Sequence, residues 1–78
     1  MIQITFRVPD NLLMHIKDNG TLTTNGFEFN TAKIRDQLGF VIGFLAHIES
    51  SDIKKITKVE SVLKKSQIDY VTRTIRNR

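Results

Sequence analysis

The chain opens on an alternation. Ile2, Ile4, Phe6 and Val8 are apolar, and Gln3, Thr5 and Arg7 between them are polar. A period of two sends the two sets to opposite faces of a β-strand, so residues 2 to 8 read as a half-buried strand. Pro9 has no N–H to give a ladder and ends it, and Asp10 is placed to cap a short helix with Leu12, Leu13 and Ile16 on one side. The same stretch also fits a second strand, Leu12 to Ile16, turning through Asp18, Asn19 and Gly20 into a third that begins at Thr21. Threonines and the alternating Phe27, Glu28 and Phe29 make residues 21 to 29 extended, with Gly26 at a turn or bulge.

The period then changes. Ile34, Leu38, Val41, Leu45 and Ile48 recur at steps of four and three, and on a helix capped by Asn30 or Thr31 they form one apolar seam. A long helix over residues 31 to 48 is the expectation, with a short helix ending at Gly39 and a buried strand over residues 41 to 48 as its alternative. The polar break Glu49, Ser50, Ser51 and Asp52 starts the next helix. On it Ile53, Ile56, Val59 and Leu63 share one arc, and Lys54, Lys55, Lys58 and Lys65 lie on the opposite one. Ser66, with Asp69 three positions on, predicts a last helix carrying Ile68, Val71 and Ile75 inward and Tyr70, Arg73 and Asn77 outward. A closing strand over residues 67 to 75 is the alternative, because Tyr70, Val71, Thr72, Thr74 and Ile75 are good strand formers.

Together these elements predict an α+β domain in which a small N-terminal antiparallel sheet packs on the helix of residues 31 to 48, followed by basic C-terminal helices. The runner-up is a ferredoxin-like βαββαβ arrangement with strands at residues 2 to 8, 21 to 29, 41 to 48 and 68 to 75. A chain of 78 residues holds one domain. Its core is small enough that self-association, as a homodimer, is expected to supplement it.

Composition narrows the setting. There is no cysteine, hence no disulfide, zinc ribbon or thiol nucleophile, and a reducing, cytoplasmic compartment fits best. The first residues lack the basic start, apolar stretch and small-residue cleavage site of a signal peptide. The longest apolar run, Phe40 to Ile48, falls well short of the roughly 20 residues that span a bilayer, so no membrane partner is expected. Isoleucine is frequent while alanine stands only at positions 32 and 46, a bias of AT-rich genomes such as those of many phages.

The net charge of +4 is unevenly placed. In residues 1 to 48, Arg7, Lys17, Lys33 and Arg35 balance Asp10, Asp18, Glu28 and Asp36. All of the excess lies in residues 49 to 78, which points to a partner that is nucleic acid or an acidic protein surface. On the predicted C-terminal helices Lys54, Lys55, Lys58, Lys65, Tyr70, Arg73 and Arg76 make one surface, with cations for phosphates and an aromatic ring for a base. A solvated charged face that only keeps the chain soluble is the plainer reading of the same residues.

Catalytic chemistry finds little support. His15 and His47 have no carboxylate, serine or lysine at a spacing typical of a site, and each reads as structural. The carboxylates are spread without a calcium-loop repeat, and Gly20, Gly26, Gly39 and Gly43 do not form a phosphate-cradling loop. No catalytic residue, metal or cofactor is assigned; a small nuclease toxin is the one enzyme class left open, and no motif for it is present.

The segment from Gln3 to Leu13, with its alternating strand, Pro9-Asp10 and paired leucines, resembles the opening of ribbon-helix-helix repressors of the Arc and MetJ type. The resemblance covers eleven residues and implies a strand that pairs across a dimer and reads bases in the major groove. It would make Gln3, Thr5 and Arg7 the readers, with Pro9 and Asp10 at the start of the helix. Read from the residues alone, the three polar side chains simply face water. Two functions follow for the chain: a non-enzymatic nucleic-acid-binding regulator, or a small phage-encoded inhibitor or adaptor that covers a host protein with its basic face.

Overall fold

The computed structural model describes residues 1–75. Among the described residues the chain forms five strands, β1 (Ile2–Arg7), β2 (Thr21–Thr24), β3 (Phe27–Arg35), β4 (Val41–Ser50) and β5 (Tyr70–Thr74), and one α-helix, α1 (Ile53–Lys65). A short 3-10 helix, Asp10–His15, links β1 to β2, and Ile16 just after it makes an isolated antiparallel bridge to Leu22. The strands make a single antiparallel sheet in the order β2-β3-β4-β1-β5. The fold is α+β and mostly sheet.

The alternation of β1 works as its period demands. Ile4 and Phe6 point to the covered face and are buried, while Arg7 is exposed on the other. Ile4 stands opposite Ile48 and Phe6 opposite Ala46 on β4, so three of these four side chains meet α1 as bulky apolar groups across a small alanine. Val8, Leu22 and Phe29 join them from the sheet side, and Ile56, Val59 and Leu63 from α1. The rings of Phe6 and Phe29 meet edge to face, 5.2 Å apart at 87°.

β3 and β4 are long because each serves two neighbours in succession. Residues 27 to 30 of β3 pair with β2 and residues 30 to 35 with β4. β4 in turn pairs with β3 through residues 41 to 47 and with β1 through residues 45 to 50. Such staggered pairing coils the sheet around its covered face. Asn25 and Gly26, at φ 52° and 80°, close the β2–β3 hairpin with two left-handed residues, the geometry that matches strand twist.

Residues 31 to 48 are therefore not a helix on which a sheet packs. They are the second half of β3, a tight turn, and β4. The apolar residues from 40 to 48 fall on both phases of a helix, whereas a strand sends Ala46 and Ile48 into the core beside β1. Val41, Ile42, Gly39 and Gly43 also make this segment a weak helix former. Of the expected seam, Leu38 ends 82% exposed.

The expected pair of basic C-terminal helices is also overturned. Asp52 caps α1, its Oδ1 accepting from the backbone N–H of Lys54 at 3.0 Å and Lys55 at 3.4 Å. At the other end Gln67 takes φ 57°, Gln67 N–H donates to Lys64 O and Ile68 N–H to Leu63 O. This paired closure ends the helix and turns Ile68 back to the core, so Ser66 stands at the C-terminus of α1 rather than starting a new helix. Residues 70 to 74 are β5, laid antiparallel on β1. The ferredoxin-like alternative fails too, because one α-helix crosses the sheet and β1 lies between β4 and β5 in a five-stranded order. Ile53, expected inward, is 69% exposed at the first turn of α1.

Candidate nucleic-acid interface

Ile56, Val59 and Leu63 fix the rotation of α1 by burying one arc. Lys54, Lys58 and Lys65, spaced by four and seven, then stack along the opposite arc in a stripe about 16 Å long at 1.5 Å per residue. All three are exposed, as are Lys55 and Lys64, which flank the stripe on either side. The helix has one acidic residue, Glu60, which lies one turn before Lys64 and is half-buried beside β5. Its Oε2 accepts from the hydroxyl of Tyr70 at 3.1 Å and of Thr72 at 3.4 Å, both on β5. Apart from Ile53, the exposed residues of α1 are lysine, serine and threonine, with the Asp52 carboxylate at the N-cap beside Lys54 and Lys55.

Tyr70 and Arg73 do not join this stripe. As neighbours in a strand rather than a helix, they belong to opposite faces of the sheet. Tyr70 stands opposite Phe6 on the covered side, half-buried, with its hydroxyl committed to Glu60. Arg73 lies on the open side opposite Gln3. Arg76 falls outside the described residues.

The open face gathers the other predicted residues instead. Arg73 Nη2 donates to Gln3 Oε1 at 3.2 Å, and Gln3 Nε2 donates to Glu49 Oε1 at 3.0 Å, a polar row across β5, β1 and β4. In the next row Thr5 stands between Val71 and His47, with Asn30 beyond. Arg7 pairs with Leu45, and its Nη2 donates to Ile42 O at 3.2 Å. β1 is hydrogen-bonded to a strand of its own chain on each edge, so Gln3, Thr5 and Arg7 reach solvent through this face alone. The residues named from the sequence thus occupy two surfaces on opposite sides of the molecule, the lysines on α1 and Gln3, Thr5, Arg7 and Arg73 on the open sheet.

A groove of about 530 Å³ lies between the 3-10 helix, the β2–β3 turn and the end of α1. Asp10 and Asp69 line it against the single cation Arg7, which suits it poorly to phosphate. Among the described residues no cluster of three or more His, Cys, Asp or Glu is placed to hold a metal ion, and no helix is long and apolar enough to cross a membrane. No family model, curated protein or solved structure matches the chain.

Two features escaped the sequence reading. Glu60 was invisible as the residue that clears the lysine face, because its partners Tyr70 and Thr72 had been given to another helix. The turn between β3 and β4 lies inside the expected helix; the alternative break at Gly39 with a strand over residues 41 to 48 had its place and β4 right, and missed that residues 31 to 35 are strand as well.

Proposed function

We propose that the chain is a non-enzymatic nucleic-acid-binding regulator that lays the lysine stripe of α1 along a phosphate backbone. The observation that carries this reading is the engagement of Glu60 by Tyr70 and Thr72, which leaves five exposed lysines and no exposed carboxylate between Ile53 and Lys65. A second feature points the same way. Lys54 and Lys55 sit in the first turn of α1, where the helix dipole disfavours positive charge, and the N-cap carboxylate of Asp52 is the one acid beside them. Charges placed where the helix dipole opposes them fit a role outside the fold. The cysteine-free chain fits action in a reducing compartment such as the cytoplasm.

Recognition through lysines alone is sequence-independent, since phosphate contacts position a protein without reading bases. The open sheet face, with Gln3, Thr5, Arg7 and Arg73, is the place for any base-specific contact.

The test is the salt dependence of binding to a fluorescent duplex DNA and to a single-stranded RNA. Three neutralised phosphates give a log–log slope of about −2.7 for duplex DNA, an affinity loss of about 40-fold between 50 and 200 mM salt. Changing Lys54, Lys58 and Lys65 together to alanine is expected to flatten that slope. Undetectable binding of both nucleic acids at about 50 mM salt, or an unchanged slope in the triple variant, overturns the reading.

A further inference from the structure

The turn between β3 and β4 displays apolar side chains that the core does not use. Leu38 is 82% exposed, Phe40 67%, Ile42 52% and Val41 43%, all within five consecutive positions. Single exposed apolar residues need no explanation, but a contiguous group marks an interaction surface.

The turn is also held rigid. Asp36 N–H donates to Phe40 O at 2.9 Å and Gly39 N–H to Asp36 O at 3.0 Å. One carboxylate oxygen of Asp36 accepts from the backbone N–H of Leu38 at 2.9 Å and of Phe40 at 3.0 Å. Arg35 Nη1 closes the ring on Gly39 O at 2.8 Å, and Gly39 itself sits at φ 89°, a conformation that other residues resist. Five hydrogen bonds thus fix Leu38 and Phe40 in an exposed position before any partner arrives, which removes much of the ordering cost of docking.

The charges around the tip define its partner. Lys33, Arg35 and Arg7 surround the base of the hairpin and are all exposed. Asp36 is the one acid between residues 29 and 48, and its carboxylate faces backbone donors within the turn.

We infer that the β3–β4 tip is a docking element for a second protein, inserting Leu38 and Phe40 into an apolar cleft whose rim carries carboxylates that meet Lys33, Arg35 and Arg7. The alternatives fit the same observations less well. A bilayer gains nothing from a pre-shaped turn, and an anionic one would take the Asp36 carboxylate in with the apolar residues. A two-fold contact between copies of this chain would set the same cations against each other, since such an interface brings one patch against itself. An aromatic anchor seated in a pocket, with charge pairs at its edge, is the pattern by which protein interfaces concentrate their affinity. The surface is distinct from the lysine stripe of α1 and shares only Arg7 with the open sheet face, so the test keeps protein docking and nucleic-acid binding distinguishable.

The experiment places the photo-crosslinker p-benzoylphenylalanine at position 40 of the full chain, irradiates it in its native cells, and treats the lysate with nuclease before the adducts are mapped by mass spectrometry. The expected result is an adduct to one other protein, on a peptide that lines an apolar cleft with Asp or Glu at its edge. Leu38→Asp and, separately, Lys33→Glu are expected to lower its yield at least tenfold while circular dichroism shows the fold intact; the triple alanine variant of Lys54, Lys58 and Lys65 is expected to leave it unchanged. An adduct to a second copy of the chain, to lipid alone or to nothing overturns the inference. So does a protein adduct whose yield ignores Lys33→Glu.

Discussion

The guanidinium of Arg7 occupies the space that a side chain at Gly43 would fill. A Cβ built on Gly43 would stand 2.9 Å from Arg7 Nη2 and 3.3 Å from its Cζ and Nε. Glycine inside a strand lowers stability, and here its absent Cβ lets an arginine cross from β1 to reach Ile42 O at 3.2 Å. The obstructing atoms are the far end of a flexible side chain, so Gly43→Ala should displace Arg7 rather than disturb the strand. Relative to glycine, alanine in a strand gains roughly 0.5–1 kcal/mol. That gain is expected in the Arg7→Ala background, and to be offset when Arg7 is present and loses its hydrogen bond. A double-mutant cycle by urea unfolding checks it; equal effects of Gly43→Ala in the two backgrounds would show that the two residues are uncoupled.

The link between α1 and β5 runs through Glu60. Its carboxylate is the acceptor for Tyr70, so Tyr70→Phe and Glu60→Ala remove the same bond. Each is expected to cost about 1 kcal/mol, the usual net worth of a hydrogen bond, and the double variant less than the sum of the two. Thermal unfolding of the four proteins reads this directly. Additive losses would mean that the hydroxyl and the carboxylate act separately.

Lys54 and Lys55 carry a prediction in which stability and binding move in opposite directions. Replacing both with glutamate puts negative charge in the first turn of α1, where the dipole favours it by about 0.3–1 kcal/mol per residue. The double variant should therefore be more resistant to urea than the parent, yet bind duplex DNA more weakly and with a shallower salt slope. If stability and affinity both fall, the lysines support the fold and the nucleic-acid reading loses its second argument.

What was legible in the sequence is what a single element decides for itself. The alternation from Ile2 to Val8 determined β1, and Asp52 with the spacing of Ile56, Val59 and Leu63 determined the start of α1 and the face it buries, hence the outward lysines. These are local matters of period and capping, and one strand or helix expresses them whatever its neighbours do. Gly26, too, marks a turn, since glycine takes the φ of 80° found there without strain; the hairpin around it, with Asn25 also left-handed, came from the structure.

Residues 31 to 48 were different, because steps of four and three and a run of apolar residues fit a helix and a strand alike. The choice was made by β1, which offers Ile4 and Phe6 to Ile48 and Ala46 across the sheet from forty or more positions away. Tyr70 and Arg73 were separated for the same reason: once β1 takes β5 as its edge partner, a period of two replaces the helical period and sends neighbouring side chains to opposite faces. Sequence period thus determined which face each local element can bury, and tertiary pairing alone decided which period residues 31 to 48 and 70 to 74 obey. Hydrogen bonds between strands have no local signature, so the partner strand must be in place before the pattern has one meaning.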